Sequence, residues 1–132
     1  MKPINGFATA LLFLMSAMTP LQAFADEPLR RTDLIRRDID VPAHEAVQVR
    51  VDFQPGVLAA RHSHPGEEIA YVIDGTLEYK LDGREPVTLS AGQSLFIPTG
   101  VVHSAENVGP GKASELATYI VRKGQALVVP SK

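Results

Sequence analysis

From residue 47 onward, hydrophobic positions recur at every second residue. In Val47-Gln48-Val49-Arg50-Val51-Asp52-Phe53 the odd positions are apolar and the even ones polar, the pattern of a strand with one face buried and one wet. Shorter runs of the same kind occupy residues 69–73, 76–81, 86–89, 94–97, 101–105, 116–122 and 126–129. Gly and Pro separate most of them, at Pro55-Gly56, Gly75, Asp82-Gly83, Gly92, Pro98-Thr99-Gly100, Gly109-Pro110-Gly111 and Gly124. Asp82-Gly83 predicts a hairpin with a two-residue primed turn, because such turns need positive φ. About eight short strands at this spacing predict an all-β single domain, a barrel or a sandwich.

The first 25 residues do not share this pattern. Lys2 gives a small positive region, residues 7–18 are almost wholly apolar, and Pro20 interrupts the run. Twelve residues fall short of the roughly 20 that span a bilayer, and Ala23-Phe24-Ala25 supplies the small-x-small site of a signal peptide. Residues 1–25 are therefore expected to be an export signal cleaved after Ala25. The mature chain would begin at Asp26, as a periplasmic or secreted protein with no stable membrane insertion. Removing the first 25 of the 132 residues leaves 107, divided into an N-terminal arm at 26–46 and a barrel at 47–132. Arg30-Arg31 and Arg36-Arg37 suggest an anionic partner for the arm. Asp26, Glu27, Asp33, Asp38 and Asp40 nearly cancel them, so a solvated arm or edge strand without a ligand is expected.

Composition narrows the chemistry. A formal net charge of -2 gives no basis for gripping phosphates, so nucleic acid is not an expected partner. With 45% hydrophobic and 21% charged residues the chain can bury a core and is not a disordered type. It has no Cys, which rules out disulfides, thiolate zinc sites and thiol nucleophiles together. Any metal must be held by nitrogen and oxygen.

Such donors cluster in Gly56-Val57-Leu58-Ala59-Ala60-Arg61-His62-Ser63-His64-Pro65-Gly66-Glu67-Glu68. On an extended segment positions two apart share a face, so His62 and His64 converge while Arg61 and Ser63 point away. After the Pro65-Gly66 turn Glu68 can add a carboxylate from the neighbouring strand. His103, behind Pro98-Thr99-Gly100, can return a third imidazole across the barrel. Three neutral histidines and one carboxylate would hold a divalent ion, and octahedral geometry would leave two positions open for water, O₂ or a chelating anion. Glu67 is the competing carboxylate, but Glu68 shares strand parity with Ala70 and Val72. His44 is expected at the surface, and Tyr71, Tyr79, Phe96 and Tyr119 in the core rather than in a pocket. Arg50, Arg61 and Arg122 are the candidate pocket cations.

These residues resemble the two motifs of the cupin superfamily. The first, G-x5-H-x-H-x3-E-x6-G, is filled by Gly56, His62, His64, Glu68 and Gly75; the second, G-x5-P-x-G-x2-H-x3-N, by Gly92, Pro98, Gly100, His103 and Asn107. The motifs span 56–75 and 92–107, a spacing similar to that of small single-domain bacterial cupins. The resemblance implies a double-stranded β-helix, or jelly-roll cupin barrel, with His62, His64, Glu68 and His103 as ligands of one divalent ion (Fe, Mn, Ni, Cu or Zn). It also implies a homodimer, because small cupins commonly pair through sheet edges and residues 47–53 with the arm before them would cover such an edge. Reaction type does not follow from fold. The expected function is that of an exported metal-dependent enzyme, dioxygenase-, decarboxylase- or isomerase-like, acting on a small chelating organic molecule. The alternative is a non-enzymatic metal- or metabolite-binding module of the envelope. No catalytic nucleophile or organic cofactor site is identifiable.

Overall fold

The computed structural model describes residues 27–132; the expected signal and its cleavage site lie outside the described residues. Ten strands form two antiparallel five-stranded sheets, and there is no helix among the described residues. In chain order they are β1 (Leu29–Asp38), β2 (His44–Phe53), β3 (Leu58–Ser63), β4 (Gly66–Asp74), β5 (Thr76–Leu81), β6 (Val87–Ser90), β7 (Ser94–Ile97), β8 (His103–Asn107), β9 (Ala113–Arg122) and β10 (Val129–Pro130). The first sheet runs β1-β2-β9-β4-β7 and the second β10-β3-β8-β5-β6. Apart from the β1–β2 and β5–β6 pairs, successive strands alternate between the sheets, giving the double-stranded β-helix that the motifs imply.

The core lies between the two inner faces. Val47, Val49, Val51 and Phe53 of β2 are at most 1% exposed while Arg50 is exposed, as the alternation predicts. Opposite them on β9 stand Tyr119, Ala117, Glu115 and Ala113. Directly paired residues present their side chains to the same face. β9 begins three residues before the expected run because Glu115 and Ser114 interrupt its apolar pattern although both are buried.

Chain reversals set the strand order. Gln54-Pro55-Gly56-Val57 closes with Val57 N donating to Gln54 O at 3.2 Å, and Gly56 takes φ +73°. Pro at the second position and a positive-φ Gly at the third make this a type II arrangement. The β5–β6 hairpin forms as expected, but its turn differs. Arg84 N donates to Leu81 O, and of the two central residues only Gly83 has positive φ, so the turn is not primed and five residues link the strands. Asn107, the last residue of the second motif, is a structural clamp. Its buried amide donates to the carbonyls of Phe53, Gln54 and Gly111 at 3.3, 3.2 and 2.8 Å and accepts from Gly109 N at 3.0 Å.

The arm is an edge strand. β1 runs antiparallel to β2 from Leu29 opposite Phe53 to Asp38 opposite Glu45, with a bulge between Asp33 and Ile35. Arg30 pairs with Asp52, Arg36 with Glu45, and Lys123 with Asp38. Exposed pairs contribute little, about 0–1 kcal/mol each, so the backbone ladder carries the attachment. β1 covers the edge of β2 and is itself an edge strand of the first sheet. No helix among the described residues is long and apolar enough to cross a membrane.

Candidate metal centre

Two strands and the link after the first deliver three imidazoles to one place. His62 is the penultimate residue of β3, His64 lies in the link to β4, and His103 opens β8 directly opposite His62 in the β3–β8 ladder. Their ring centroids lie 4.4, 4.8 and 5.1 Å apart, and one nitrogen from each falls within 4.8 Å of the others. All three rings are buried, with exposures of 9, 4 and 2% for His62, His64 and His103.

The backbone fixes which nitrogen points inward. Nδ1 of His62 lies 2.6 Å from Ala60 O, Nδ1 of His64 lies 2.6 Å from Leu127 O, and Nδ1 of His103 lies 2.9 Å from Val101 O. A carbonyl can only accept, so each Nδ1 carries the proton and each neutral ring turns an Nε2 lone pair to the centre. Outer hydrogen bonds of this kind are how metal-ligating histidines are oriented. The sequence contains the rings, but the carbonyl of Leu127, 63 residues from His64, is visible only in the fold.

Glu68 is the fourth member. It faces inward on β4 with Ala70 and Val72, 3% exposed, whereas Glu67 lies on the opposite face. Its Oε2 stands 2.8 Å from His64 Nε2 and 3.2 Å from His103 Nε2. Both Glu68 Oε2 and His64 Nε2 are buried without a hydrogen-bond partner. Two acceptors aimed at one point with no donor between them fit a cation, and three histidines so placed can bind a metal ion.

Charge and burial pull the group in different directions. Burial favours protonated Glu68, but when His103 and His64 carry a second proton on Nε2 their donation and charge outweigh it and draw the carboxyl down to about 2. Burial, helped by the neighbouring His103 and His64, pushes His62 down to about 4 against the Ala60 carbonyl and the Glu68 carboxylate. Burial acts the same way on His103, yet the Glu68 carboxylate and Val101 carbonyl hold it above the ordinary histidine value. Protons and metal therefore compete for this cluster.

Four further residues, Tyr119, Arg31, Glu115 and Tyr79, complete the surroundings, and the sequence singled out none of them for this place. Tyr119 packs its ring 4.6 Å from His64, and its hydroxyl accepts a 3.1 Å hydrogen bond from Arg31 Nη2. Glu115 is 5% exposed and accepts the hydroxyl proton of Tyr79. Burial and then the Glu68 charge push Glu115 up to about 7. The only signal for it was a charged residue at an inward position of an apolar strand.

Other expectations divide. Tyr79 and Tyr119 are core residues, 1% exposed, but Tyr71 and Phe96 are 42% and 53% exposed on the outer face of the first sheet, because β4 and β7 turn them away from the core. Arg50 is tied to Asp52 at 2.9 Å and Arg61 to Asp82 by two bonds of 2.8 and 2.9 Å. Arg122 is exposed next to His44, its partner in the β2–β9 ladder. His44 lies outside the cluster, its Nδ1 2.8 Å from Pro42 O. A cavity of about 190 Å³ opens beside His62, and another of about 230 Å³ among Arg30, Arg50, Asp52 and Ser114 touches no histidine.

Over residues 49–119 the chain matches the family described as Cupin domain. It is similar to the polyketide synthase CurC of Streptomyces cyaneus, 44% identical over 61 residues, 46% of this chain and 39% of that protein. It is also similar to the dimethylsulfoniopropionate lyase DddQ of Ruegeria pomeroyi, 32% identical over 63 residues, 47% of this chain and 31% of that one. The matches span about a third of the length of these curated relatives. The crystal structure of DddQ superposes with a TM-score of 0.67 at 22% identity, covering 90% of this chain and 59% of its own. A predicted oxalate decarboxylase from Thermotoga maritima gives a TM-score of 0.58 at 26% identity, covering 70% and 80%.

Proposed function

The chain belongs to the cupin family, and from that premise we propose that it is an exported metal-dependent enzyme acting on a small chelating organic molecule. His62, His64, Glu68 and His103 hold one divalent first-row ion. The reading is carried by one observation: one ligand nitrogen from each of three buried imidazoles, all held through Nδ1 by backbone carbonyls, lies within 4.8 Å of the others, and the unpartnered Glu68 Oε2 stands beside those of His64 and His103. The bound ion supplies Lewis-acid polarisation of a chelated substrate. The chain's part is to keep the donors deprotonated and oriented, to exclude water with the Tyr119 ring, and to hold a proton on the Glu115–Tyr79 pair nearby. A relative named as a dimethylsulfoniopropionate lyase and a structural neighbour described as a predicted oxalate decarboxylase support the small-molecule class.

The experiment has two stages. Elemental analysis of protein matured in its native compartment identifies the ion, and intact-mass measurement of the same sample should give a chain beginning at Asp26. The loaded protein is then offered 2-oxo acids, diketones and catechol-like enols with O₂ admitted, and products are followed by mass. Turnover that disappears in His103→Ala supports the enzyme. Metal-loaded protein that binds the panel and converts nothing is instead the binding module, and recovery of only full-length, membrane-bound chain removes the export reading.

A further inference from the structure

The cavity beside His62 is lined by one guanidinium that forms no ion pair among the described residues. The cavity occupies about 190 Å³ and is lined by the apolar side chains of Leu29, Ala59, Val128 and Pro130, together with His62, Arg31 and Arg61. Arg61 is neutralised by its two-pronged pair with Asp82. Arg31 makes no ion pair among the described residues, and its hydrogen bond is the one from Nη2 to the Tyr119 hydroxyl at 3.1 Å. A guanidinium has five N–H donors in a planar fork suited to a carboxylate, so most of this one is unused.

Its placement follows from register. Arg31 stands opposite Val51 in the β1–β2 ladder, and Val51 opposite Glu115 in the β2–β9 ladder. Paired residues share a face, so Arg31, though exposed on the edge strand, lies on the inner-face side of the first sheet and reaches across β2 to Tyr119. The tyrosine ring packs in turn on His64. The edge strand thus brings one cation to the mouth of the barrel, on a cavity wall that also includes His62.

We propose that Arg31 is the specificity-determining residue of this cavity, anchoring the carboxylate of a small and otherwise apolar organic acid whose other end faces the histidine cluster. Small size follows from the volume, below the roughly 300–1,000 Å³ of pockets that hold drug-sized molecules. An acid follows from the unpaired guanidinium, and an apolar body from the remaining lining. The orientation toward a metal rests on the proposed function; the anchoring by Arg31 does not.

Butyrate and butyramide have nearly the same shape and differ in charge, so calorimetric titration with both isolates the anchor. It is run on full-length mature protein, metal-loaded and chelator-stripped, with metal content and thermal midpoint recorded for each variant. Wild-type protein should bind butyrate at least tenfold more tightly than butyramide in both forms. Arg31→Gln should reduce the ratio to within about twofold at unchanged metal content and midpoint; Arg31→Lys should keep part of it, and Arg61→Gln all of it. An Arg31→Gln protein that keeps the tenfold ratio, or a wild-type protein without one, overturns the proposal. If the ratio depends on Arg31 but no metal is found in the wild type, the anchor stands and the metalloenzyme reading falls. If metal is bound and lost in His62→Ala while Arg31 has no influence on the ratio, the reverse holds.

Discussion

Glu68 Oε2 lies 2.8 Å from His64 Nε2, and neither buried atom has a hydrogen-bond donor. Two lone pairs at that distance repel unless a cation or a proton lies between them. Glu68→Gln removes the anionic oxygen, and zinc or cobalt affinity in a competitive chelator titration should fall at least tenfold. Glu67→Gln, on the opposite face of β4, should stay within about twofold. Equal losses in the two variants would return the ligand assignment to the ambiguity of the sequence.

Gly75 and Gly56 both have positive φ but differ in their surroundings. A Cβ on Gly75 would sit 2.6 Å from Ala113 Cβ and 2.7 Å from Lys112 O, whereas one on Gly56 would meet nothing within 4 Å. Gly75→Ala therefore combines backbone strain with overpacking and should cost about 2–4 kcal/mol, against about 1–2 kcal/mol for Gly56→Ala. Urea unfolding measures both, and similar costs would show that the β4–β5 corner relaxes freely around the new methyl.

The parts of this fold that the sequence displayed are those where local pattern and tertiary demand agree. β2 is legible because its inner face is Val47, Val49, Val51 and Phe53 and its outer face is polar. The ligand candidates are legible because the period of two and the Pro65-Gly66 turn act within a dozen residues. Legibility fails where a polar group sits inside an apolar strand, as at Glu115 on β9; Asn107 on β8 is visible as a motif position, but its role as a clamp is not. It fails in part on β4, where Ala70 and Val72 face the core as their parity with Glu68 implies, but Tyr71, expected in the core, faces out with Ile69 and Ile73. Arg31 was hidden by its neighbours, since alternating charges on β1 read as a solvated edge until register sends this one inward.

That outward face of β4 predicts the assembly. Ile69, Tyr71, Ile73 and Phe96 are 46, 42, 38 and 53% exposed, and Ile69 is the cross-strand partner of Phe96. With the β2 edge already covered by β1, a homodimer would form through this sheet face, burying apolar side chains that otherwise remain in water. Light scattering at micromolar concentration should give twice the chain mass for the wild type and a folded monomer for Phe96→Glu. A monomeric wild type, or a dimeric Phe96→Glu, would place the contact elsewhere or remove it.

Glu115 predicts a pH dependence of stability. The groups facing it are Glu68 from β4, Tyr79 from β5, His103 from β8 and Arg31 from β1; burial and the Glu68 charge dominate and raise its carboxyl to about 7. In the unfolded chain it titrates near the ordinary Glu value of about 4.3. Between those values the folded state holds the proton more tightly than the unfolded one, so this group's contribution is fully present below about 4.3 and declines as pH rises through about 7. The limiting slope for one proton is roughly 1.4 kcal/mol per pH unit. Glu115→Gln cannot ionise but still offers Tyr79 an oxygen to donate to, so the wild-type-minus-variant difference in unfolding free energy should fall from pH 4.5 to 7.5 and then level off. The measurement uses chelator-stripped protein at every pH, since metal loss from the histidines would otherwise add its own slope. A difference that stays constant across that window would mean that Glu115 ionises alike in both states, with its buried oxygens solvated by groups other than Tyr79.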